Sequence, residues 1–188
     1  FSIFIFFNLS ILYSCSPSGI LASGGATTMV VAEGDRTLGT VVDDATIKIN
    51  ISSNLLSSST DLFVNVNTNV IEGRVLLTGI VDTQEIRIET VRKVWEVEGV
   101  REVINEIEIG NKTTIKEYAN DLWITTQVKG LAAKTIGLRA LSYNFETIKG
   151  KVYIAGITSR PEQLDQIIEA TKTIKGVKEI VNYVIIKE

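Results

Sequence analysis

The side chains that carry most enzymatic chemistry are nearly missing from this chain. It holds no histidine, and Cys15 is its only cysteine. Acid and base relays built on histidine, Cys-His nucleophiles and Cys/His zinc sites are therefore excluded. The carboxylates gather at Asp43-Asp44 and at Glu96 and Glu98. They have neither a base partner nor a glycine-rich phosphate cradle, so a helix terminus and a solvated face account for them. No catalytic residue, cofactor or metal site is expected. What remains is Trp123, which at about 100° per residue shares one helical flank with Lys116, Gln127 and Lys134. Trp beside Lys suits a headgroup interface, with the ring at the boundary and ammonium groups near phosphate. Packing of the same flank against a neighbouring domain is the competing reading, and solvent exposure of Trp123 separates the two.

The elements that place this flank come from an internal repeat. Gly73-Arg74-Val75-Leu76-Leu77-Thr78-Gly79 returns as Gly150-Lys151-Val152-Tyr153-Ile154-Ala155-Gly156. The same offset of 77 residues (73 to 150) carries Asp44 to Asp121, Ile47 to Ile124, Asn67 to Asn144, Gly99 to Gly176 and Asn105 to Asn182 without a gap. A register held over a domain length means two like domains. We divide the chain into a signal peptide truncated at its basic start (1–14), a cysteine and flexible linker (15–39), a first domain (40–110) and a second (111–188). The linker is rich in Gly, Ser, Ala and Thr and cannot bury enough apolar area to order itself.

Within the first domain, periodicity predicts a helix over 41–56, strands over 62–69 and 75–81, a helix from Asp82-Thr83-Gln84-Glu85 towards Gly99, and a strand over 101–109. The second repeats this as a helix over 113–133, strands over 139–146 and 151–158, a helix over 160–175 and a strand over 179–187. Gly73, Gly79, Gly99, Gly150, Gly156 and Gly176 are the structural glycines, with Gly73 expected at positive φ. With three strands, the helices must cover one sheet face to make a core. The expected core faces are Val41, Val42, Ala45, Ile49 and Leu56 in the first helix, and Ile115, Ala119, Leu122, Thr126 and Ala133 in its counterpart. Trp123 lies off that stripe. Subtracting 77 turns its flank into Gly39, Thr46, Asn50 and Ser57, so the first copy lacks this surface. Trp95 matches Lys172 and reads either as a partly exposed domain contact or as core.

Charge separates the copies. Residues 16–110 hold 7 basic and 14 acidic side chains, and residues 111–188 hold 12 and 8. An acidic and a basic domain suggest different partners.

Residues 1–13 form an apolar run too short for an ordinary membrane span and suited to a signal-peptide core. It ends in Leu12-Tyr13-Ser14-Cys15, which resembles a bacterial lipobox, in which the cysteine is lipidated and becomes the mature N-terminus. Ser16, rather than Asp, resembles an outer-membrane sorting address. Several acyl chains, at about 0.8 kcal/mol per buried CH₂, would make such an attachment effectively permanent.

Asp121-Leu122-Trp123-Ile124-Thr125-Thr126-Gln127-Val128-Lys129, the glycine-punctuated hairpin from Asn144 to Gly156, and Gly176-Val177-Lys178 resemble a BON domain (bacterial OsmY and nodulation). Two copies behind a lipobox resemble the dual-BON lipoproteins. The resemblance implies an α+β chain of two αββαβ domains, each a three-stranded mixed sheet packed on two helices. It further implies no catalysis, a lipid anchor holding the protein on the periplasmic side of the outer membrane, and an anionic phospholipid surface as partner of the second domain. Nucleic acid is not an expected partner. The alternative is a periplasmic adaptor whose acidic first domain docks an envelope protein.

Overall fold

The computed structural model describes residues 37–111 and 113–187. Cys15, the apolar head and the linker through residue 36 lie outside the described residues. Helix α1 (Leu38–Ser58) opens on Thr37, whose side chain accepts a hydrogen bond from the Thr40 N–H. A short helix α2 (Thr60–Asn65) leads into the hairpin β1 (Val66–Ile71) and β2 (Arg74–Val81). Thr83 caps α3 (Gln84–Trp95), and β3 (Glu102–Ile109) closes the unit. The second unit repeats it as α4 (Ile115–Ile136), a 3-10 turn (Gly137–Ser142), β4 (Tyr143–Ile148), β5 (Lys151–Thr158), α5 (Pro161–Lys172) and β6 (Glu179–Ile186). In each sheet the middle strand pairs antiparallel with the strand before it and parallel with the one after it. These are the mixed three-stranded sheets of an α+β chain.

The first strand of each hairpin starts later than its sequence pattern suggests. Residues 62–65 belong to α2 and residues 139–142 to the 3-10 turn. The reason lies in Gly79 and Gly156. A Cβ at Gly79 would meet the Asn65 carbonyl oxygen at 2.1 Å, and one at Gly156 the Ser142 carbonyl oxygen at 2.7 Å. The chain crosses directly over each glycine and joins the sheet only after it, with Val66 opposite Gly79 and Tyr143 opposite Gly156.

At the other end of the hairpin, Glu72 and Gly73 take φ 51° and 76°, and Lys149 and Gly150 take 49° and 83°. Two consecutive positive φ values make the two-residue turn whose twist matches the strands. Gly99 and Gly176 follow the second helix of each unit, also at positive φ.

The helices lie on the sheets by faces other than those periodicity suggested. Helix α1 buries Ile47, Ile51 and Leu55 against Val75, Leu77 and Val81, while Val42, Ile49 and Leu56 are exposed. Helix α4 buries Asp121, Ile124, Thr125, Val128, Ala132 and Ile136, whereas Ile115, Ala119, Leu122, Thr126 and Ala133 face solvent. Two polar residues on the buried face, Asp121 and Thr125, disguised it. Each is satisfied inside: Thr125 donates to Thr147 at 2.8 Å, and Asp121 holds the hairpin turn.

The second face of each sheet is also buried, because the two sheets pack on one another. Ile71 and Leu76 from one sheet meet Tyr153, Ala155 and Ile157 from the other in a core of their own. The seam is close to two-fold. Tyr183 donates to Glu106, its own equivalent in the repeat, and only residues astride a two-fold axis touch their own equivalents. Lys187 pairs with Glu72. The corresponding partners, Gly110 and Lys149, also lie together, with Lys149 Nζ 3.8 Å from the position of a Cβ on Gly110.

Candidate functional site

Helix α4 begins on a capping box. Thr114 Oγ1 accepts from the Glu117 N–H, and the Glu117 carboxylate accepts from the Thr114 N–H at 2.9 Å. The Thr114 backbone N–H, then its hydroxyl, hold the Glu117 carboxyl below its ordinary range, helped by the charges of Lys149 and Lys178. The helix is fixed to its sheet one turn later. Asp121 is buried and accepts from the Lys149 N–H at 2.7 Å and the Gly150 N–H at 2.8 Å. Asp44 does the same for Glu72 and Gly73, at 2.7 and 2.9 Å. The carboxylate read as a helix-terminal charge therefore clamps a turn instead.

With Asp121 turned inwards, the opposite flank faces out. Trp123 is 47% exposed and lies outside the inter-domain core, and Lys116, Gln127 and Lys134 are exposed beside it. The structure thus brings the four flank residues onto one surface. Among the described residues, Lys116 and Lys134 form no ion pair, in contrast to Arg92 and Lys93 on α3, which bind Glu89 and Glu96. In α1 the equivalents Gly39, Thr46, Asn50 and Ser57 are exposed too, with neither ring nor ammonium among them.

Sequence reasoning missed three members of this surface. Ile115 is 89% exposed, Tyr118 64% and Leu122 55%. They stand on the same helix as Trp123 and border a groove of about 540 Å³ reaching to Val64 of α2. Ile115 and Leu122 belong to the apolar stripe expected to face the core, which the structure turns to solvent, and no stripe pointed to Tyr118. Trp95 is half-exposed on α3, which removes its core reading. No helix among the described residues is long and apolar enough to cross a membrane, and no carboxylate cluster among them is arranged to hold a metal ion.

Two αββαβ units, each with a mixed sheet and a carboxylate-clamped hairpin, define a tandem two-domain α+β architecture. The BON domain family model matches residues 43–111 and 120–188, and the chain belongs to that family. An uncharacterized protein in the gshII 5′ region of Anaplasma centrale is 37% identical over 147 residues, covering 78% of this chain and 96% of that one. The outer membrane lipoprotein DolP of Haemophilus influenzae is 29% identical, covering 84% and 82%. A 21 kDa hemolysin of Actinobacillus pleuropneumoniae is 31% identical, covering 79% and 78%.

Proposed function

We propose that this is a non-enzymatic envelope lipoprotein, anchored through Cys15 to the outer membrane, whose second BON domain docks on anionic phospholipid through the outward face of α4. The observation that carries the reading is the half-exposed Trp123 between the apolar residues Ile115 and Leu122 and the exposed Lys116 and Lys134, which form no ion pair among the described residues. Such a face buries apolar side chains at the headgroup boundary while the ammonium groups stay with phosphate. Similarity to an outer membrane lipoprotein supports the location, and the sole cysteine behind an apolar run supports the anchor.

The test is co-sedimentation with phosphatidylglycerol and phosphatidylcholine vesicles, using the full chain carrying Cys15→Ser so that no acyl anchor masks the contact. Trp123→Glu abolishes the preference for phosphatidylglycerol. Lys116→Ala and Lys134→Ala each weaken it by several-fold at low salt, because each Lys near an anionic surface contributes about 1 kcal/mol, and by less at high salt. Folded Trp123→Glu protein that binds like wild type rules out the lipid site.

A second reading has one observation in its favour. Val42, Ile49 and Leu56, seven residues apart on α1 of the acidic domain, are all exposed, and such a stripe fits a helical protein partner. An envelope defect from Ile49→Asp in protein that still binds vesicles favours the adaptor.

A further inference from the structure

The groove beside α4 is walled by both domains. Val64 of α2, 68% exposed, and Ile80 of β2 face Ile115, Tyr118 and Leu122 of α4, and Lys129 lines the groove as well. Domain 1 therefore adds an apolar corner to the surface assigned to domain 2, and it does so through α2, an element with no counterpart in the flank comparison of α1 with α4. We propose that the anionic bilayer docks across the domain seam, with Val64 entering the same leaflet as Ile115 and Leu122, so that the first BON domain is part of the membrane contact. This rests on the lipid-binding reading of α4. Two observations choose a bilayer as the occupant. The apolar residues are discontinuous in sequence but share one open edge, which suits a fluid surface better than a single docked helix. Lys129 lines the groove, and Lys116 and Lys134 are exposed on the same helix, so that the cations of α4 complement a negatively charged plane. Glu146, the one groove carboxylate on the sheet side, accepts from Asn67 at 3.1 Å and lies near Lys129 and Lys48.

The consequence is that the two domains bind as a unit, and their mutual orientation, set by the sheet-to-sheet seam, is part of the binding site. The experiment compares Val64→Asp with Ile88→Asp in the full chain carrying Cys15→Ser, by co-sedimentation with phosphatidylglycerol vesicles. Ile88 is an exposed apolar residue of the same domain that does not line the groove, so the pair carries the same charge change. Val64→Asp lowers affinity by roughly five-fold or more, as expected for replacing an inserted apolar side chain by a charge, and Ile88→Asp leaves it within about two-fold. Val64→Ser, which adds no charge, gives a smaller loss in the same direction. Equal small effects of Val64→Asp and Ile88→Asp, with Trp123→Glu still abolishing binding, overturn the two-domain contact and leave the α4 site standing. If Trp123→Glu is also without effect, both fall. Far-UV circular dichroism establishes that each variant is folded. Should Val64→Asp unfold, Val64→Ser alone decides, and wild-type affinity in that variant overturns the proposal.

Discussion

At the scale of the residue, the repeated aspartate sets the frame. Asp44 and Asp121 each give both carboxylate oxygens to the two N–H groups of a positive-φ turn. Removing the side chain leaves two donors without partners, one of them buried, and hydrogen bonds to a charged acceptor contribute about 1.5–3 kcal/mol each. Asp44→Ala and Asp121→Ala are therefore each expected to lower the free energy of unfolding by about 3 kcal/mol or more, measured by urea unfolding. Asn in their place recovers part of the loss, because its amide offers one acceptor oxygen, not two. A loss at one site alone would mean that the two turns are not held alike. Gly73 and Gly150 supply the companion test. A Cβ there would meet the Gly99 and Gly176 carbonyl oxygens at 2.6 and 2.7 Å, on a backbone already at positive φ. Gly73→Val and Gly150→Val should each lower the thermal midpoint by similar amounts, since strain of about 1–3 kcal/mol adds to the clash. The spacing of the aspartates was legible as part of the repeat. Their role was not, because the N–H groups they hold lie 28 and 29 residues further along the chain.

At the scale of the element, the order of helices and strands was open to reading, while the orientation of the helices was not. Hydrophobic periodicity finds stripes, and α4 has two of them about a third of a turn apart. Only the sheet beneath decides which is inward. The inward stripe contains Asp121 and Thr125 beside its four apolar residues, so a count of apolar residues does not single it out from the outer one. The consequence can be measured as a separation of stability from binding. Ile124→Ala, at a fully buried site, should cost about 2–5 kcal/mol. Ile115→Ala should leave stability within about 0.5 kcal/mol while weakening phosphatidylglycerol binding. If Ile115→Ala destabilises the fold as Ile124→Ala does, the outward face of α4 is part of the core. Helix α1 follows the same rule, with Ile47, Ile51 and Leu55 inward and Val42, Ile49 and Leu56 outward.

At the scale of the whole molecule, the seam between the sheets ties the two repeats into one body. Its trace in the sequence is the nearly unbroken apolar run of β2 and of β5, which is the pattern of strands buried on both faces. A one-sided sheet would have alternated with polar residues. The seam also predicts a response to alkali. Burial first, and then the hydrogen bond to Glu106 and its charge, push the Tyr183 hydroxyl up to about 12, against about 10 for an unfolded tyrosine. Burial, reinforced by the charges of Glu106 and Glu108, raises Tyr153 still further. A group whose folded value lies above its unfolded value contributes stability that is complete below the unfolded value and is lost as pH rises through the folded one. The contribution of Tyr183 should therefore be intact to about pH 10 and disappear by about pH 12. Ordinary lysine side chains lose their charge in the same range, at about 10.4, so wild-type unfolding alone is ambiguous. The difference between wild type and Tyr183→Phe isolates the tyrosine. Urea unfolding at several pH values should show wild type losing stability more steeply than the Phe variant between about pH 10 and 12, with tyrosinate absorbance rising over the same interval. Parallel curves for the two proteins would mean that Tyr183 is not held protonated across the seam.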